Sequence, residues 1–265
     1  MADLTQVDAI VKTFLRDAHM MRCVDSLRRH YPDVRVVVVD DGRMTAEKDA
    51  YYGCLRQLNH IVEDRSLPFD SGFGAKSNLA MALCTRPYVL CCNDDFLFDG
   101  DRDGVRRMVD LLEAMPEFGL ACGTWCGRDY QGWLRRTKGR VEELPFPKHP
   151  VVEERYDRCG PHLYREVDLC AVYCVMRRTV FTDTGVRVDG RYKIGGEHGD
   201  WFMDVRDAGW KVAFTPFADI SQIDDAPTSR EYYDMRLRQD WKRVYREKHG
   251  PHTYKYFSGD EEVFA

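Results

Sequence analysis

The sequence predicts an α/β protein, with one domain built on a mainly parallel, doubly wound sheet flanked by helices. The N-terminal half alternates short apolar strand patterns with longer helical patterns, as parallel strands joined by crossover helices require. The stretch VRVVVVDD (34 to 41) is an uninterrupted β-branched run, which is typical of a central strand covered on both faces. A chain of 265 residues, 44% hydrophobic and 31% charged, is also long enough to bury one sizeable core.

The predicted elements follow one another in a regular order. Apolar residues spaced by three and four indicate helices, and polar or turn-forming residues end the strands. The first helix, for example, has Met20, Val24, Leu27 and Tyr31 on one face and ends at Pro32. The predicted strands are 7–14, 34–41, 60–64, 88–92, 119–126, 165–178 and 210–216, and the predicted helices are 20–31, 45–58, 75–84, 105–115 and one that ends near Gly209.

Two parts of the chain do not follow this alternation. Residues 127 to 165 are rich in Gly, Pro, Arg and Lys, which predicts a long loop over one face of the domain. Residues 226 to 265 are predicted to form a C-terminal helical extension, because apolar side chains recur there at helical spacing opposite many cations. The apolar face would consist of Tyr233, Leu237, Trp241, Val244 and Tyr245.

Composition and charge exclude several classes of protein. The net charge of -5 gives no general attraction to nucleic acid or to anionic membrane. No segment approaches the roughly 18 consecutive apolar residues of a membrane span, and the N-terminus has no signal-peptide pattern, so a cytoplasmic location is expected. Half of the ten cysteines lie in apolar helix or strand patterns, which favours reduced thiols: Cys84, Cys91, Cys92, Cys170 and Cys174.

A zinc site is the alternative interpretation of the cysteines. The pairs Cys122/Cys126 and Cys170/Cys174 could supply ligands together with residues between them, namely His149, Cys159 and His162. None of these spacings is the two-residue spacing that is typical of zinc knuckles. Reduced structural thiols are therefore the preferred interpretation.

Acidic side chains follow two of the predicted strands. Asp40 and Asp41 end the β-branched strand, and Asn93, Asp94 and Asp95 end the strand YVLCC. In doubly wound sheets, ligands bind beyond the carboxyl ends of the strands. Hard cations such as Mg²⁺ and Mn²⁺ prefer carboxylate oxygens there and commonly bridge them to phosphates. The pattern thus favours a metal and nucleotide site, and the alternative is a solvated, Asp-rich turn.

The segment GFGAKS (72 to 77) contains glycines before a lysine. It is not a phosphate loop of the nucleotide triphosphatase type, because Ala75 and Asp70 stand where that motif requires glycine. Gly72 and Gly74 could form a tight helix entry whose free amides face an anion. A simple turn and helix cap is the alternative.

The segment IGGEHGDWF (194 to 202) exposes polar side chains at a predicted helix start. Its glycines let the backbone approach a ligand closely. Glu197 precedes the helical pattern and could act as a general base for a bound hydroxyl, with His198 beside it. Asp200 has the alternative interpretation of a helix-capping carboxylate.

Taken in order, these motifs resemble those of a GT-A glycosyltransferase, in particular family 2 enzymes and the β-1,4-N-acetylgalactosaminyltransferase group. The resemblance rests on the strand that ends in Asp-Asp, the loop DSGFGAKSNL, the strand YVLCCNDDF and the segment GGEHGDWF, and it covers most of residues 7 to 222. It implies a GT-A (Rossmann-like) domain over 1–225, with a nucleotide-sugar-binding half at 1–100 and an acceptor half at 101–225. The extension at 226–265 would follow.

The resemblance also implies a nucleoside-diphosphate sugar donor, most commonly a UDP-sugar, and a Mn²⁺ or Mg²⁺ cofactor. Asp95 and Asp94 match the metal-binding Asp-x-Asp motif, with Asn93 in the place of its first acid. Asp40 and Asp41 match the pair that contacts the nucleoside, and Thr13 and Arg16 match the neighbourhood that binds the nucleobase. The other implied donor-binding residues are Lys76, Asn93 and Asp94. The implied catalytic base is Glu197 or Asp200, and the implied acceptor site includes Trp201 and His198.

Three departures from the family pattern stand out. Asn93 replaces an acid. Ser77 stands where members often have an arginine, for which Lys76 would compensate. A histidine that commonly serves as a later metal ligand would fall near Gln222, and the candidate replacements are Asp219 and Asp224.

The leading hypothesis is an inverting, metal-dependent glycosyl transfer to an acceptor hydroxyl, by resemblance on a glycan. Residues 230 to 256 mix cations with Tyr and Trp, a composition that can bind phosphate backbones and stack on bases, so an enzyme that glycosylates hydroxylated bases in DNA is an alternative. A non-catalytic nucleotide-sugar-binding module is a further alternative. A nucleotidyltransferase lacks support, because no glycine-rich phosphate signature follows the first strand.

Overall fold

The computed structural model describes residues 2–100, 103–127, 131–145, 156–238, 240–256 and 258–264. A short 3-10 turn at Leu4–Gln6 comes first. The first half then contains five strands and four helices, which alternate except that the fifth strand follows the fourth directly. They are β1 Val7–Thr13, α1 Asp17–His30, β2 Arg35–Asp40, α2 Ala46–Gln57, β3 Ile61–Glu63, α3 Phe73–Leu83, β4 Tyr88–Asn93, β5 Phe96–Leu97 and α4 Gly104–Ala114.

The second half is richer in strands. Its described elements are β6 Phe118–Trp125, β7 Gln131–Thr137, β8 Arg140–Pro145, β9 Asp157–Cys159, β10 His162–Val167, β11 Leu169–Cys170, β12 Cys174–Arg177, α5 Arg178–Thr182, α6 Glu197–Asp207, β13 Lys211–Gln222, α7 Arg230–Arg236, α8 Asp240–His249, β14 His252–Lys255 and β15 Glu261–Phe264.

A mixed sheet forms the centre of the domain, in the order β3-β2-β1-β4-β12-β6-β13-β10-β9. Strands β3, β2, β1 and β4 are parallel, whereas β12 runs antiparallel to both of its neighbours, β4 and β6. A smaller sheet has the order β11-β7-β8-β14-β15. The α/β single-domain prediction is therefore confirmed. The N-terminal half supplies the four-stranded parallel part of the sheet, and β6 and β13 add one more parallel pair.

The central strands are buried on both faces, which is why their sequences are continuously apolar. All seven residues of β1 are buried, and in β2 only Arg35 is partly exposed. Apolar side chains of α1 and α4, such as Leu27 and Met108, pack on one face of the sheet, and those of α3 and α6, such as Met81 and Phe202, pack on the other. Each fully buried side chain of this size stabilises the fold by roughly 1.5–3 kcal/mol. This double cover fixes the carboxyl ends of β1, β2 and β4 at one edge.

The prediction of a long loop at 127 to 165 is wrong for the residues that the structure describes. Strands β7, β8, β9 and most of β10 lie there, and the predicted strand at 165–178 is divided among β10, β11 and β12. Strands β7 and β8 form a hairpin, with Lys138 and Gly139 as the turn between them. The apolar and charged residues of β7 alternate irregularly, and its other partner, β11, follows in the chain only after β8, β9 and β10. The pairing of β7 with β11 is a tertiary effect that local patterns do not indicate.

The C-terminal part contains the predicted helices, α7 and α8, and also two strands that the sequence did not indicate. Strand β14 extends the smaller sheet by pairing in parallel with β8. The predicted apolar face is only partly buried: Val244 and Tyr245 are in the core, whereas Tyr233 is 56% and Leu237 74% exposed. Helical spacing alone therefore overstated the buried face of α7.

The expectation of reduced thiols is wrong for one pair, because Cys122 and Cys170 form a disulfide. Strand β6 and strand β11 bring these two residues together although they are 48 positions apart in the chain. The other eight cysteines are free. The zinc alternative finds no support in the described residues, which contain no cluster of three or more metal-ligating side chains, and His149 lies outside them.

Among the described residues, none of the helices is both long enough and apolar enough to cross a lipid bilayer.

Candidate active site

A cleft of about 600 Å³ lies at the carboxyl ends of β1 and β4. The N-terminal residues of α3 and α6 form one side of it, and side chains of the C-terminal region form another. The C-terminal contributors are Tyr232, Met235, Arg236, Arg238 and Trp241. The parallel strands point their ends at this cleft, which is where doubly wound sheets bind ligands.

The turn after β4 presents two adjacent carboxylates to the cleft. Thr13 Oγ1 donates a hydrogen bond of 3.0 Å to Asp94 Oδ2, and Arg16 Nη1 donates one of 3.0 Å to Asp94 Oδ1. Arg16 also contacts Asp95 Oδ2 through Nη1 at 3.3 Å and Nη2 at 3.2 Å. The Asp95 backbone is fixed by its carbonyl, which accepts a 2.7 Å hydrogen bond from the amide of Ile223.

Burial and charge oppose each other at this acidic pair. Burial raises the pKa of Asp94 to about 6; Arg16 opposes the shift and Asp95 adds to it. Burial disfavours the charge of Arg16 as well, but Asp94 and Asp95 outweigh it and raise the pKa of the guanidinium. Arg16 is thus the counter-ion of the pair.

Asp95 is the carboxylate that can reach a divalent cation. Both oxygens of Asp94 accept hydrogen bonds, whereas on Asp95 the contacts fall on Oδ2, which also accepts a 3.0 Å bond from Gln222 Nε2. One carboxylate together with phosphate oxygens suits Mg²⁺ or Mn²⁺. The amide oxygen of Gln222 could supply another hard ligand at the position where the resemblance implied a histidine. The donor set therefore fits such an ion.

Neither proposed replacement for that histidine lines the cleft. Asp219 Oδ1 accepts hydrogen bonds from the Thr124 hydroxyl and from the amide of Gly127. Asp224 is exposed. Asp219 and Asp224 are therefore not placed to replace the histidine, and Gln222 is the residue at this end of β13 that contacts Asp95.

The acidic end of β2 does not line the cleft. Asp40 accepts hydrogen bonds from Tyr52 and Gly42 and pairs with Lys48 at 2.9 Å. Its carboxylate is buried and does not reach the cleft, so Asp40 does not make the predicted direct contact with a nucleoside in this structure. Lys48 also pairs with Asp17 at 2.7 Å.

Asp41 is likewise neutralised, by Lys76 Nζ at 2.6 Å. Lys76 itself lines the cleft and also donates to the Thr13 carbonyl at 3.1 Å. Of the acids that follow β2 and β4, Asp94 and Asp95 therefore line the cleft, whereas Asp40 and Asp41 do not. Asn93 lines the cleft with them.

The amides at the start of α3 are not free for an anion. The amide of Gly72 donates to Asp41 Oδ2, that of Phe73 to the Lys193 carbonyl and that of Gly74 to the Tyr192 carbonyl. A side chain at Gly74 would overlap the backbone of Asp189. The simple turn is thus the correct interpretation of these glycines.

Glu197 is the acid of α6 that lines the cleft. It is 7% exposed, and its Oε2 is buried with no hydrogen-bond partner. His198 Nε2 lies 3.9 Å from Glu197 Oε1. Burial lowers the pKa of His198, and Lys12 and Arg236 act in the same direction against Glu197. A neutral imidazole therefore stands beside a carboxylate that has one unused oxygen.

Asp200 and Trp201 do not line the cleft, although both were predicted to belong to the site. Asp200 is 0% exposed and pairs with Lys248 Nζ at 2.8 Å and His249 Nε2 at 2.6 Å. Trp201 is 4% exposed and packs against Phe202 in the core. Asp200 and Trp201 follow Glu197 by three and four positions, on the same side of α6, so their contacts one turn further along the helix, and not the helical period, keep them out of the cleft.

Sequence reasoning missed Lys12 and Tyr232. Lys12 lines the cleft and is 6% exposed. Its Nζ lies 4.9 Å from the Phe73 ring centre and forms no ion pair or hydrogen bond with any described residue. A lysine inside the apolar strand VDAIVKTF was a signal that could have found it. Tyr232 accepts a 3.3 Å hydrogen bond from Arg16 Nη1, and no local pattern indicated that contact.

Comparison with known proteins is consistent with this fold. Beta-1,4 N-acetylgalactosaminyltransferase 2 of Mus musculus is 36% identical over 125 residues, which are 47% of this chain and 22% of that protein. Beta-1,4 N-acetylgalactosaminyltransferase 1 of Homo sapiens is 37% identical over 110 residues, 42% of this chain and 19% of that protein. The chain therefore matches about a fifth of the length of these relatives.

Solved structures share the fold at low sequence identity. GalNAc-T7 with UDP, GalNAc and Mn²⁺ has a TM-score of 0.62 at 14% identity, covering 84% of this chain and 43% of that one. The mannosyltransferase PcManGT from Pyrobaculum calidifontis, in complex with GDP-Man and Mn²⁺, has a TM-score of 0.58 at 14% identity, covering 87% of this chain and 59% of that one.

The family model described as glycosyl transferase family 2 matches residues 8–185, from the first strand through α5. This match covers more than half of the 265 residues and includes the turn with Asp94 and Asp95. By this match and by its GT-A fold, the chain belongs to glycosyl transferase family 2.

Proposed function

We propose that this protein transfers a sugar from a nucleoside-diphosphate donor to an acceptor hydroxyl, with inversion at the anomeric carbon and with a divalent metal ion. The observation that carries the proposal is the shared cleft of Glu197 and Asp95. Glu197 offers an unpaired carboxylate oxygen on one side, and Asp95 offers a ligand for the donor's metal ion on the other. Membership of glycosyl transferase family 2 supports it.

In this mechanism Glu197 accepts the proton of the acceptor hydroxyl. The hydroxyl oxygen forms the new bond to the anomeric carbon while the bond from that carbon to the diphosphate oxygen breaks, and its electron pair leaves with the diphosphate. General-base assistance of this kind typically contributes about 10²–10⁴-fold in rate. Burial lowers the pKa of the neighbouring His198, so that imidazole is neutral beside Glu197.

Asp95 and the amide oxygen of Gln222 would hold the metal ion, together with oxygens of the donor. Bound Mn²⁺ or Mg²⁺ supplies electrostatic stabilisation of the negative charge that develops on the departing diphosphate. Lys76 would add a positive charge near the donor, since it lines the cleft and is held by Asp41. Thr13 keeps Asp94 in place beneath this region.

The first donor to test is UDP-N-acetylgalactosamine with a glycan acceptor. The matched curated relatives are named β-1,4 N-acetylgalactosaminyltransferases, and one similar structure contains UDP, GalNAc and Mn²⁺. A β-linked product formed from the α-linked sugar of a UDP donor requires inversion, which agrees with a single base and no covalent intermediate.

Hydroxylated bases in DNA remain the alternative acceptor. Several cations of the C-terminal part that suggested this alternative form ion pairs with acids, which reduces their net attraction to phosphates. These pairs are Arg230–Asp234, Arg238–Asp70, Lys242–Glu262, Arg243–Glu247 and Lys248–Asp200. Retention on hydroxymethylated DNA that weakens with salt would favour a DNA acceptor over a glycan.

The decisive experiment combines donor hydrolysis with donor binding. Wild-type protein should release UDP slowly from the donor with Mn²⁺ and no acceptor, and Glu197→Gln should lose most transfer while it retains donor affinity by calorimetry. If Glu197→Gln lost transfer and donor affinity to the same degree, the base role of Glu197 would be contradicted. Donor binding with no hydrolysis or transfer in the wild type would instead indicate a non-catalytic binding module.

A further inference from the structure

Arg16 occupies the place between the two acids that would also attract a cofactor ion. Its guanidinium contacts both carboxylates, with Nη1 3.0 Å from Asp94 Oδ1 and Nη2 3.2 Å from Asp95 Oδ2. The residue is 9% exposed and lines the same cleft as Glu197. The acidic pair therefore has a counter-ion from the chain itself.

The contacts of this guanidinium are incomplete. Nη1 and Nη2 both reach the same oxygen of Asp95, so the two-pronged arrangement that satisfies an arginine best is not formed. Arg16 Nε is buried and has no hydrogen-bond partner. An arginine with an unused buried donor in a cleft has the capacity to bind one more anionic ligand.

The C-terminal region provides Arg16 with a neutral second contact. Tyr232 accepts a hydrogen bond from Nη1 at 3.3 Å, and its ring centre lies 5.1 Å from the guanidinium carbon. Tyr232 in turn accepts a 2.9 Å hydrogen bond from Arg236. These contacts do not depend on Asp95, so the guanidinium would retain them if its bond to that carboxylate were lost.

A divalent ion on Asp95 and a guanidinium on the same carboxylate repel each other, because like charges a few ångströms apart interact strongly in a poorly hydrated cleft. A diphosphate reverses this relation. It brings negative oxygens that can accept the two-pronged hydrogen bonds of an arginine while they also bind the ion. Arg16 should therefore oppose the ion alone and favour the ion together with a diphosphate.

We propose that Arg16 is a catalytic residue of the transfer: it holds Asp95 while the cleft is empty, and it binds the departing diphosphate when donor and divalent ion enter together. This inference rests on the proposed function and replaces the nucleobase contact that family resemblance implied for Arg16. It makes metal binding depend on the donor, which limits occupation of the cleft by a metal ion alone.

The test uses the full chain and two ligands, Mn²⁺ alone and then UDP at saturating Mn²⁺, both measured by calorimetry. Arg16→Gln removes the charge, and Arg16→Lys keeps the charge but loses the two-pronged donor. Arg22→Gln is the matched control, because Arg22 lies in α1, which Arg16 directly precedes, and forms an exposed pair with Asp225. Thermal unfolding of each variant checks that it is folded.

Arg16→Gln should bind Mn²⁺ alone about tenfold more tightly than wild type and bind UDP with Mn²⁺ about ten- to a hundredfold more weakly, the size expected for one hydrogen bond to a charged group. Arg16→Lys should have the wild-type affinity for Mn²⁺ alone, but its affinity for UDP should be as low as that of Arg16→Gln. Arg22→Gln should match wild type in both measurements.

The outcomes separate this inference from the function on which it rests. Suppose that the wild-type protein binds Mn²⁺ and UDP, but that Arg16→Gln does not bind Mn²⁺ alone more tightly and UDP more weakly. This result would overturn the role of Arg16 and leave the glycosyltransferase proposal intact. If the wild-type protein bound neither Mn²⁺ nor UDP, although thermal unfolding showed that it and Arg22→Gln were folded, the proposed function would be overturned and the inference with it.

Discussion

Lys248 of α8 forms an ion pair with Asp200 of α6, with 2.8 Å between Nζ and Oδ2. His249 adds a 2.6 Å contact to the other oxygen of the same carboxylate. The pair ties the C-terminal helix to the helix that carries Glu197, and it occupies Asp200 completely. Of the two acids that the sequence offered as a catalytic base, the structure leaves Glu197 facing the cleft.

The two acids should therefore differ in what they support. Asp200→Asn should lower the free energy of unfolding by about 1–3 kcal/mol, because it removes the buried carboxylate that contacts Lys248 and His249, although Lys248 keeps its pair with Asp204. Glu197→Gln should change stability by less than about 0.5 kcal/mol, since Oε2 has no partner to lose. Urea denaturation measures both. A stable but inactive Asp200→Asn variant would return the base role to Asp200.

The indole ring of Trp241 packs against Gly195 and Gly196, which precede Glu197. A Cβ atom at Gly196 would lie 2.7 Å from Trp241 Cε3, and its φ is 75°. Gly196→Ala should destabilise the protein by about 2–4 kcal/mol, the sum of a left-handed backbone penalty and overpacking. It should also lower the transfer rate, because Glu197 would shift.

Gly139 provides the matched control for this substitution. It also has a φ of 75°, but no atom lies within 4 Å of the position that a Cβ atom would take there. Gly139→Ala should cost only the backbone penalty, about 1–2 kcal/mol, and leave the transfer rate unchanged. Equal effects of the two substitutions on stability, measured in urea, would show that Trp241 contributes nothing at this site.

Restoring a histidine at position 222 should strengthen metal binding. Gln222 Nε2 is 3.0 Å from Asp95 Oδ2, so a histidine there would stand next to the proposed metal ligand. Gln222→His should raise the affinity for Mn²⁺ by about tenfold, equivalent to about 1.4 kcal/mol. Asp224→Asn is the control, because this exposed acid is two residues away and should leave calorimetric Mn²⁺ affinity unaltered.

The acidic pair should give the metal-free protein a pH dependence of unusual sign. The pKa of Asp94 is about 6 in the fold, against an ordinary 3.8. Between these values the folded state keeps a proton that the unfolded state has released, so this group lowers stability as the pH rises from about 4 to 6. The loss should amount to roughly 2–3 kcal/mol.

The measurement compares wild type with Asp94→Asn in EDTA, by urea denaturation at about pH 4.5 and about pH 7, on either side of the Asp94 titration. Other titrating groups cancel in the difference, so wild type should lose stability relative to the variant at the higher pH. A difference that stays constant with pH, or one of opposite sign, would mean that Asp94 is ionised throughout this range.

The sequence by itself determined the α/β class and the edge of the sheet where the site lies. Continuous β-branched runs identify buried parallel strands, and the polar residues that end them must lie at one edge. Asp94 and Asp95 were found in this way, because strand polarity suffices to place them. Glu197 was indicated by the glycine-rich start of a predicted helix, and Lys76 by the family resemblance.

Only the tertiary structure decided which of the candidate acids face the cleft. Asp41 and Asp200 are neutralised by Lys76 and Lys248, which are 35 and 48 positions away in the chain. The same holds for the smaller sheet, where β14 pairs with β8 across the domain, and for the contact between Arg16 and Tyr232. The physical reason is that a buried charge takes its counter-ion from whatever side chain the fold brings near, and chain separation carries no information about that choice.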